Sequence, residues 1–221
     1  MTSARSLRRS IGRPRQAAGI DARESLLDAA IELFAEAGVA GTTISAIAAR
    51  AGVTSAMVHY YFTNRDQLVD AVARERLLPT VHAVWAPVVN TSDVVPMLRG
   101  LVQRIFKAAE VNPWLPSLWL REIVSDGGQL RAPLLKHLRF EYVRHLTSAV
   151  TAAQRRGEID PHIDPRLVVL SVLGNTLLPL AASHLWQQVP LLHNVTRKDL
   201  TQHVEALLVS AFSRHRRRRD G

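Results

Sequence analysis

Apolar residues recur at three- and four-residue spacing along almost the whole chain, and no stretch keeps the two-residue alternation of a half-buried strand. Leu27, Ala30, Ile31 and Phe34 form the first stripe. Asp21 and Glu24 stand before it at capping-box spacing and Gly38 closes it, so the pattern predicts a helix over 21–38. A short second helix over 43–51 turns Ile44, Ile47, Ala48 and Ala51 inward; Gly52 interrupts it, and a third runs from the cap Thr54 through Tyr61. Asn64 and Gln67 repeat the capping-box spacing and open a longer helix whose inner face is Leu68, Val69, Val72 and Leu77, ending by Pro79. The same periodicity predicts helices over 81–89, 92–111, 114–124, 133–156 (closed by Gly157), 165–188 and 197–214. The last is capped by Thr196 and carries a stripe of Leu200, Val204, Leu207, Leu208 and Ala211. The fold class is all-α: three compact N-terminal helices followed by a larger helical body.

Two short helices about a glycine turn are the signature of a helix-turn-helix. Each requirement of that motif has a residue to meet it. Ala48 and Ala51 allow the helices to approach closely, Gly52 is free to take a positive φ, and Val53 can bury after the turn. Val58 and Phe62, four apart, suit the hidden face of the second helix, and Ser55, Ala56, His59 and Tyr60 fall on the open side that would enter a major groove.

From Thr43 through Ile47, Gly52, Val53, Val58, Tyr60, Phe62 and Arg65 to Leu68, with the preceding helix ending Phe34-Ala35-Glu36-Ala37-Gly38, the order and spacing resemble the DNA-binding domain of the TetR family of transcriptional regulators over residues 20–75. The resemblance implies a DNA-binding helix-turn-helix domain over 20–66, preceded by a basic arm over 1–19. An effector-binding and dimerisation domain over 67–213 and a basic tail over 214–221 follow. It implies that Thr43 and Ser45 touch phosphates, that Ser55, Ala56 and Met57 face bases, that His59 and Arg65 stand at further phosphate positions, and that Tyr61 falls where His or Tyr is common among the DNA-binding residues. His59 replaces a usual tyrosine and Arg65 a usual lysine. Tyr60 is on the exposed face; Tyr61, beside Phe62, fits a DNA contact and a packing role equally well. The resemblance further implies a homodimer through about 165–188 and 197–214, acting on a palindromic double-stranded operator. On this reading the chain is a repressor released by a small, largely apolar effector. An effector-independent architectural regulator of the same fold is the alternative.

Charge sharpens this picture. The chain of 221 residues carries 28 Lys plus Arg against 19 Asp plus Glu, a net charge of +9. Residues 1–15 hold five arginines and no acid, and residues 214–221 hold five arginines and only Asp220, so the body between them is formally neutral. The excess charge therefore describes two arms, not a uniformly basic protein. Arg13 and Arg15 flank Pro14 beside the reader and suit a narrow minor groove.

In the body, Trp85, Trp114, Trp119 and Trp186, with Met97, Phe106 and Tyr142, are candidate linings for an apolar cavity, and Glu122 is a polar candidate. For each of these an ordinary core role, or for Glu122 an ion pair or cap, is the competing reading. Pro179 inside the 165–188 helix predicts a kink. That segment lacks Asp, Glu, Lys and Arg from Leu167 to Thr196. Its Ser171, Asn175, Thr176, His184, Gln187 and Gln188 suit a buried soluble helix better than a membrane span, the reading kept as a remoter alternative. With no secretory signal, a cytoplasmic protein without membrane attachment is expected. No cysteine is present, which removes disulfides and thiol chemistry. The glycine-loop, nucleophile-elbow and zinc motifs of enzymes are missing, so no catalysis, cofactor or metal is expected.

Overall fold

The computed structural model describes residues 15–90 and 93–212. It is 76% helical, with no strand among the described residues. Helix α1 (Arg15–Gly41) begins before the Asp21–Glu24 pair, which therefore lies inside the helix and does not cap it. Ser25 Oγ donates to the Asp21 carbonyl within that turn, at 2.8 Å. The C-terminal break falls at Gly38 as the pattern predicts, with φ 78°. Beyond it α2 (Ile44–Arg50) packs on α1 and α3 (Ser55–Tyr61) packs on α2, and Gly52 supplies the turn with φ 69°. Thr43 caps α2 by accepting the Ala46 amide at 3.1 Å; Thr54 makes no such side-chain bond at α3.

Asn64 caps α4 (Arg65–Val72), its side chain accepting the Gln67 amide at 2.9 Å while Gln67 accepts from Thr63 at 3.1 Å. The helix does not end at Pro79. It passes through a π-helical turn, Ala73–Leu77, straight into α5 (Leu78–Trp85), so the expected separate helix over 81–89 is the continuation of α4. In that wide turn the Leu78 amide reaches back five residues to the Ala73 carbonyl. Pro79, which has no amide to donate, then sits in the first turn of the next segment, where none is needed. The same turn faces α1: both terminal nitrogens of Arg23 donate to Glu75 at 2.7 and 2.9 Å, and Arg76 reaches Asp28 and Glu24 at 2.5 and 2.7 Å.

A 3₁₀ turn, Ala86–Asn90, leads to α6 (Val94–Val111), capped by Asp93. α7 (Leu115–Leu118) continues into a second π-helical turn, Trp119–Val124. The expected helix over 133–156 is two: α8 (Arg131–His137) and α9 (Glu141–Arg155), parted where Leu138 takes extended backbone with ψ 134°. α8 packs on the first π turn, whereas α9 packs on the 3₁₀ turn and α6, and the break lets each face its own neighbour. The expected helix over 165–188 is α10 (Val168–Ala181) and a short α11 (Ser183–Trp186). The chain bends just past Pro179, whose carbonyl accepts the Trp186 indole N–H at 2.7 Å. α12 (Arg197–Phe212) opens with a reciprocal box: Asp199 N donates to Thr196 Oγ1 at 3.2 Å and Thr196 N to Asp199 at 2.9 Å.

One contiguous hydrophobic core joins Leu26 and Phe34 of α1 to Leu68 of α4, Leu101 of α6, Val172 of α10 and Leu208 of α12. The reading helices and the body are thus continuous in packing. Among the described residues no helix is long and apolar enough to cross a membrane.

Candidate nucleic-acid interface and ligand crevice

α3 shows two faces. Val58 and Phe62 are buried in the hydrophobic core, as their spacing requires, which leaves Ala56, His59 and Tyr60 exposed, Tyr60 to 82%. Ser55, Met57 and Tyr61 are half-buried at the margins. Tyr61 packs on the core and meets Tyr60 edge-on, with ring centroids 5.1 Å apart, so its ring is shared between packing and surface. Thr43 and Ser45 are exposed at the start of α2, on a turn whose first amides point outward. Of the arm residues, Arg13 lies outside the described residues and Arg15 is placed only as the first residue of α1.

Arg65, expected at a phosphate, is engaged within the fold. Its guanidinium donates to the Thr42 carbonyl at 2.7 Å and to the Val39 carbonyl, so it ties the N-terminus of α4 to the end of α1. The Val39 carbonyl already accepts the Thr42 amide at 3.1 Å and takes a second donor from the guanidinium, while the Thr42 carbonyl lies between α1 and α2, and the fork spans both. The other arginines of the reading unit are matched as well. Arg23 holds Glu75 and stacks over Phe62 at 5.4 Å, and Arg50 holds Glu36 at 3.0 and 3.1 Å. Sequence spacing could not distinguish a phosphate arginine from one capping carbonyls brought near by folding.

Glu122 takes the capping role that stood beside the ligand reading. It is buried to 4% exposure. Its Oε1 accepts the Val39 amide and its Oε2 the Gln129 amide, each at 2.8 Å. Both oxygens are therefore used in structure, and the carboxyl group clasps the joint between α1 and α2 from the second π turn. Gly38 and Gly128 make room for it: a Cβ at Gly38 would stand 3.1 Å from Oε1, and one at Gly128 would collide with the Glu122 carbonyl.

The aromatic candidates do not converge on one cavity. Trp85 and Trp119 line an apolar crevice of about 20 Å³ with Thr80, Val84, Ile105 and Leu177, between α5, α6, α7 and α10. Trp114 lines a surface recess beside Glu32 and Glu36, and Trp186 another, of about 240 Å³, with His184 and Arg197. Met97 and Phe106 are packed in the core, and Tyr142 is buried with its ring edge-on to His82 at 6.0 Å. Thr80, Val84, Ile105 and Leu177 escaped sequence reasoning because periodicity marks a residue as inward-facing without saying whether it meets an atom or a gap. Among the described residues no group of three or more His, Asp or Glu could hold a metal ion.

Comparison with known proteins agrees with this geometry. The family model described as "Bacterial regulatory proteins, tetR family" matches residues 26–72, which span most of α1 through α4. The chain is 28% identical over 190 residues to the HTH-type transcriptional regulator BetI of Escherichia coli O157:H7, covering 82% of this chain and 93% of that protein. It is 30% identical over 131 residues to BetI of Burkholderia cenocepacia (strain HI2424), covering 59% and 66% respectively. Such relatives are regulators and not enzymes. Among solved structures, the regulator FadR of Bacillus subtilis, in complex with stearoyl-CoA, superposes with a TM-score of 0.65 at 22% identity, over 86% of this chain and 99% of that one. AibR, in complex with isovaleryl coenzyme A and operator DNA, superposes with a TM-score of 0.67 at 22% identity, over 85% and 97%. These superpositions establish a common fold across both the reader and the body. The chain belongs to the TetR family of bacterial regulatory proteins and is a DNA-binding transcriptional regulator.

Proposed function

We propose that the chain is a cytoplasmic homodimeric repressor, released from a palindromic operator by a small, largely apolar effector held in its body. The reader over 20–66 inserts α3 into the major groove. Ser55, Ala56 and Met57 then face base edges, while Thr43, Ser45, His59, Tyr60 and Tyr61 meet the backbone, and the arm over 1–19 adds Arg13 and Arg15. The observation that carries this reading is the division of α3 into a buried Val58–Phe62 face and an open face with Tyr60 at its centre. Arg65 acts by holding the reader in register, given the two carbonyls it binds.

The body over 67–213 supplies the partner surface. Leu170 and Leu178 of α10, Leu185 of α11 and Leu207 of α12 are exposed, which supports pairing of two copies through about 165–188 and 197–214. The crevice beside Trp85 and Trp119 is where an apolar effector would enter, between α5, which continues α4, and α7, whose π turn carries Glu122. An effector that favours a wider spacing of these helices shifts the reader away from the geometry that fits DNA.

Gel-shift with fragments of the source genome at stated salt, with light scattering on the same sample, tests the proposal. A discrete site with two-fold symmetry bound by a dimer is expected. Binding without sequence preference at every salt concentration sinks it. Binding by a dimer with no small molecule able to release it favours the effector-independent architectural alternative.

A further inference from the structure

We propose that the groove between α5 and α6 is the mouth of the effector site and receives an amphipathic monocarboxylate, its headgroup on Arg104 and its chain running past Val84 towards Trp85 and Trp119. The inference rests on the effector reading above and names the ligand class of that same site. The groove is an open recess of about 400 Å³. Its walls are Pro79, Ala83 and Val84 on one side and Ala108 and Val111 on the other, with Val111 66% exposed. Thr80 and Val84 belong both to this groove and to the apolar crevice behind it, so the two spaces share a wall one residue thick.

Arg104 is the charged group of this apolar groove that has no counter-ion among the described residues. Its Nε donates to the Val84 carbonyl at 2.7 Å, which fixes the guanidinium at the shared wall. One terminal nitrogen lies over Gly100, where a Cβ would stand only 2.8 Å away, so the side chain lies flat along α6. Among the described residues no acidic residue pairs with it, and burial pushes the guanidinium below its ordinary value. The other polar groups of the groove are already engaged. Lys107 binds Glu110 at 2.9 Å, Thr80 Oγ1 donates to the Arg76 carbonyl at 3.0 Å, and Asn112 donates to the Ala108 carbonyl at 3.1 Å.

A half-buried cation with no counter-ion, set in apolar walls, is relieved by an anion that brings its own apolar surface. A single uncompensated charge matches a single carboxylate, which a guanidinium receives in fork geometry. From Val111 to Arg104 the groove runs seven residues along α6, about 10 Å, and so leads from the surface to the wall shared with the crevice. The crevice of about 20 Å³ holds about one water-sized probe and is lined by apolar side chains, so it is a packing gap that an incoming chain widens at Val84 and Ile105.

Decanoate, decan-1-ol and decanoyl-coenzyme A, titrated into the full-length protein, test this by calorimetry and by quenching of tryptophan emission. Decanoate is expected to bind at least about tenfold more tightly than the alcohol. Arg104→Gln should abolish that ratio, while Arg104→Lys keeps part of it. Because the ratio is taken within each protein, a loss of stability from the missing Val84 contact does not imitate the result. The surface variant Val111→Glu should weaken decanoate more than decan-1-ol. Equal binding of acid and alcohol, unchanged in Arg104→Gln, overturns the carboxylate assignment and leaves an apolar effector standing. Binding of the coenzyme A ester without the free acid overturns the single-charge headgroup. If none of the three binds, the effector reading of the crevice fails and takes this inference with it.

Discussion

Replacing Glu122 by alanine removes the acceptor of two backbone amides. The Val39 amide is buried, 83 residues away in sequence, and the Gln129 amide is part-buried. A buried donor left without a partner costs about 1–3 kcal/mol, so the two together, with the second discounted for its exposure, come to about 3–4 kcal/mol. That is a large share of the stability of about 5–15 kcal/mol that a folded domain has in total. For a chain of this size it lowers the melting temperature by about 6–16 °C. Glu122→Gln keeps the shape and one acceptor but turns an NH₂ towards the other amide, and its loss should be about half as large. Thermal melts followed by circular dichroism, with urea unfolding as a second measure, read both values. Because Val39 leads through Thr42 into the Thr43 cap of α2, operator affinity measured well below the melt should fall as well. An alanine variant that melts within about 2 °C of the parent would refute the reasoning: the carboxyl group would then not be what holds the joint.

Tyr60→Ala and Arg65→Ala should separate cleanly. Tyr60, exposed on α3, should lose about two- to tenfold in operator affinity with its melt unchanged, whereas Arg65→Ala should lower both, since it holds the Thr42 and Val39 carbonyls. An unchanged melt in Arg65→Ala would return that residue to the phosphate role. Since Arg23, Arg50 and Arg65 are all matched within the fold, counter-ion release should come chiefly from the N-terminal arm. Deleting residues 1–14 should flatten the slope of log affinity against log salt by about 0.9 for each arginine in contact, and an unaltered slope excludes the arm. Hydrogen bonds from Arg23, followed by those from Arg74, hold Glu75 down to about 2 against an ordinary 4.5, with burial opposing them. A carboxyl group lowered in the folded state stabilises above its unfolded value. This contribution, up to about 3 kcal/mol, is complete above about pH 5 and disappears as pH falls from 4.5 towards 2. Glu75→Gln should therefore flatten the acid limb of the stability profile between those values, and an identical acid limb in the variant would disprove the pairing.

The reader was legible because each of its parts is a local device. Gly52 needs only its own φ, Thr43 and Asn64 cap amides three residues ahead, and Val58 and Phe62 share a face by helical spacing alone. The body's helices were legible as periodicity but not as boundaries. Pro79 reads as a stop, yet a π-helical turn carries the chain through it; positions 138–140 read as helix, yet two different neighbours pull α8 and α9 apart.

By itself, then, the sequence determined an all-α chain, a helix-turn-helix with its open and closed faces, and a neutral body between two arginine arms. These follow from contacts within a few residues and from composition. Only the tertiary structure decided what the long polar side chains do. Arg65 and Glu122 read as candidates for DNA and ligand, and both turn to the single backbone joint at Val39, where Gly38 interrupts the helical ladder. Arg104, unmarked in the sequence, is left facing an apolar groove without an acid. A hydrogen bond across 83 residues, or the want of a counter-ion, depends on which surfaces packing brings together, and periodicity carries no record of that.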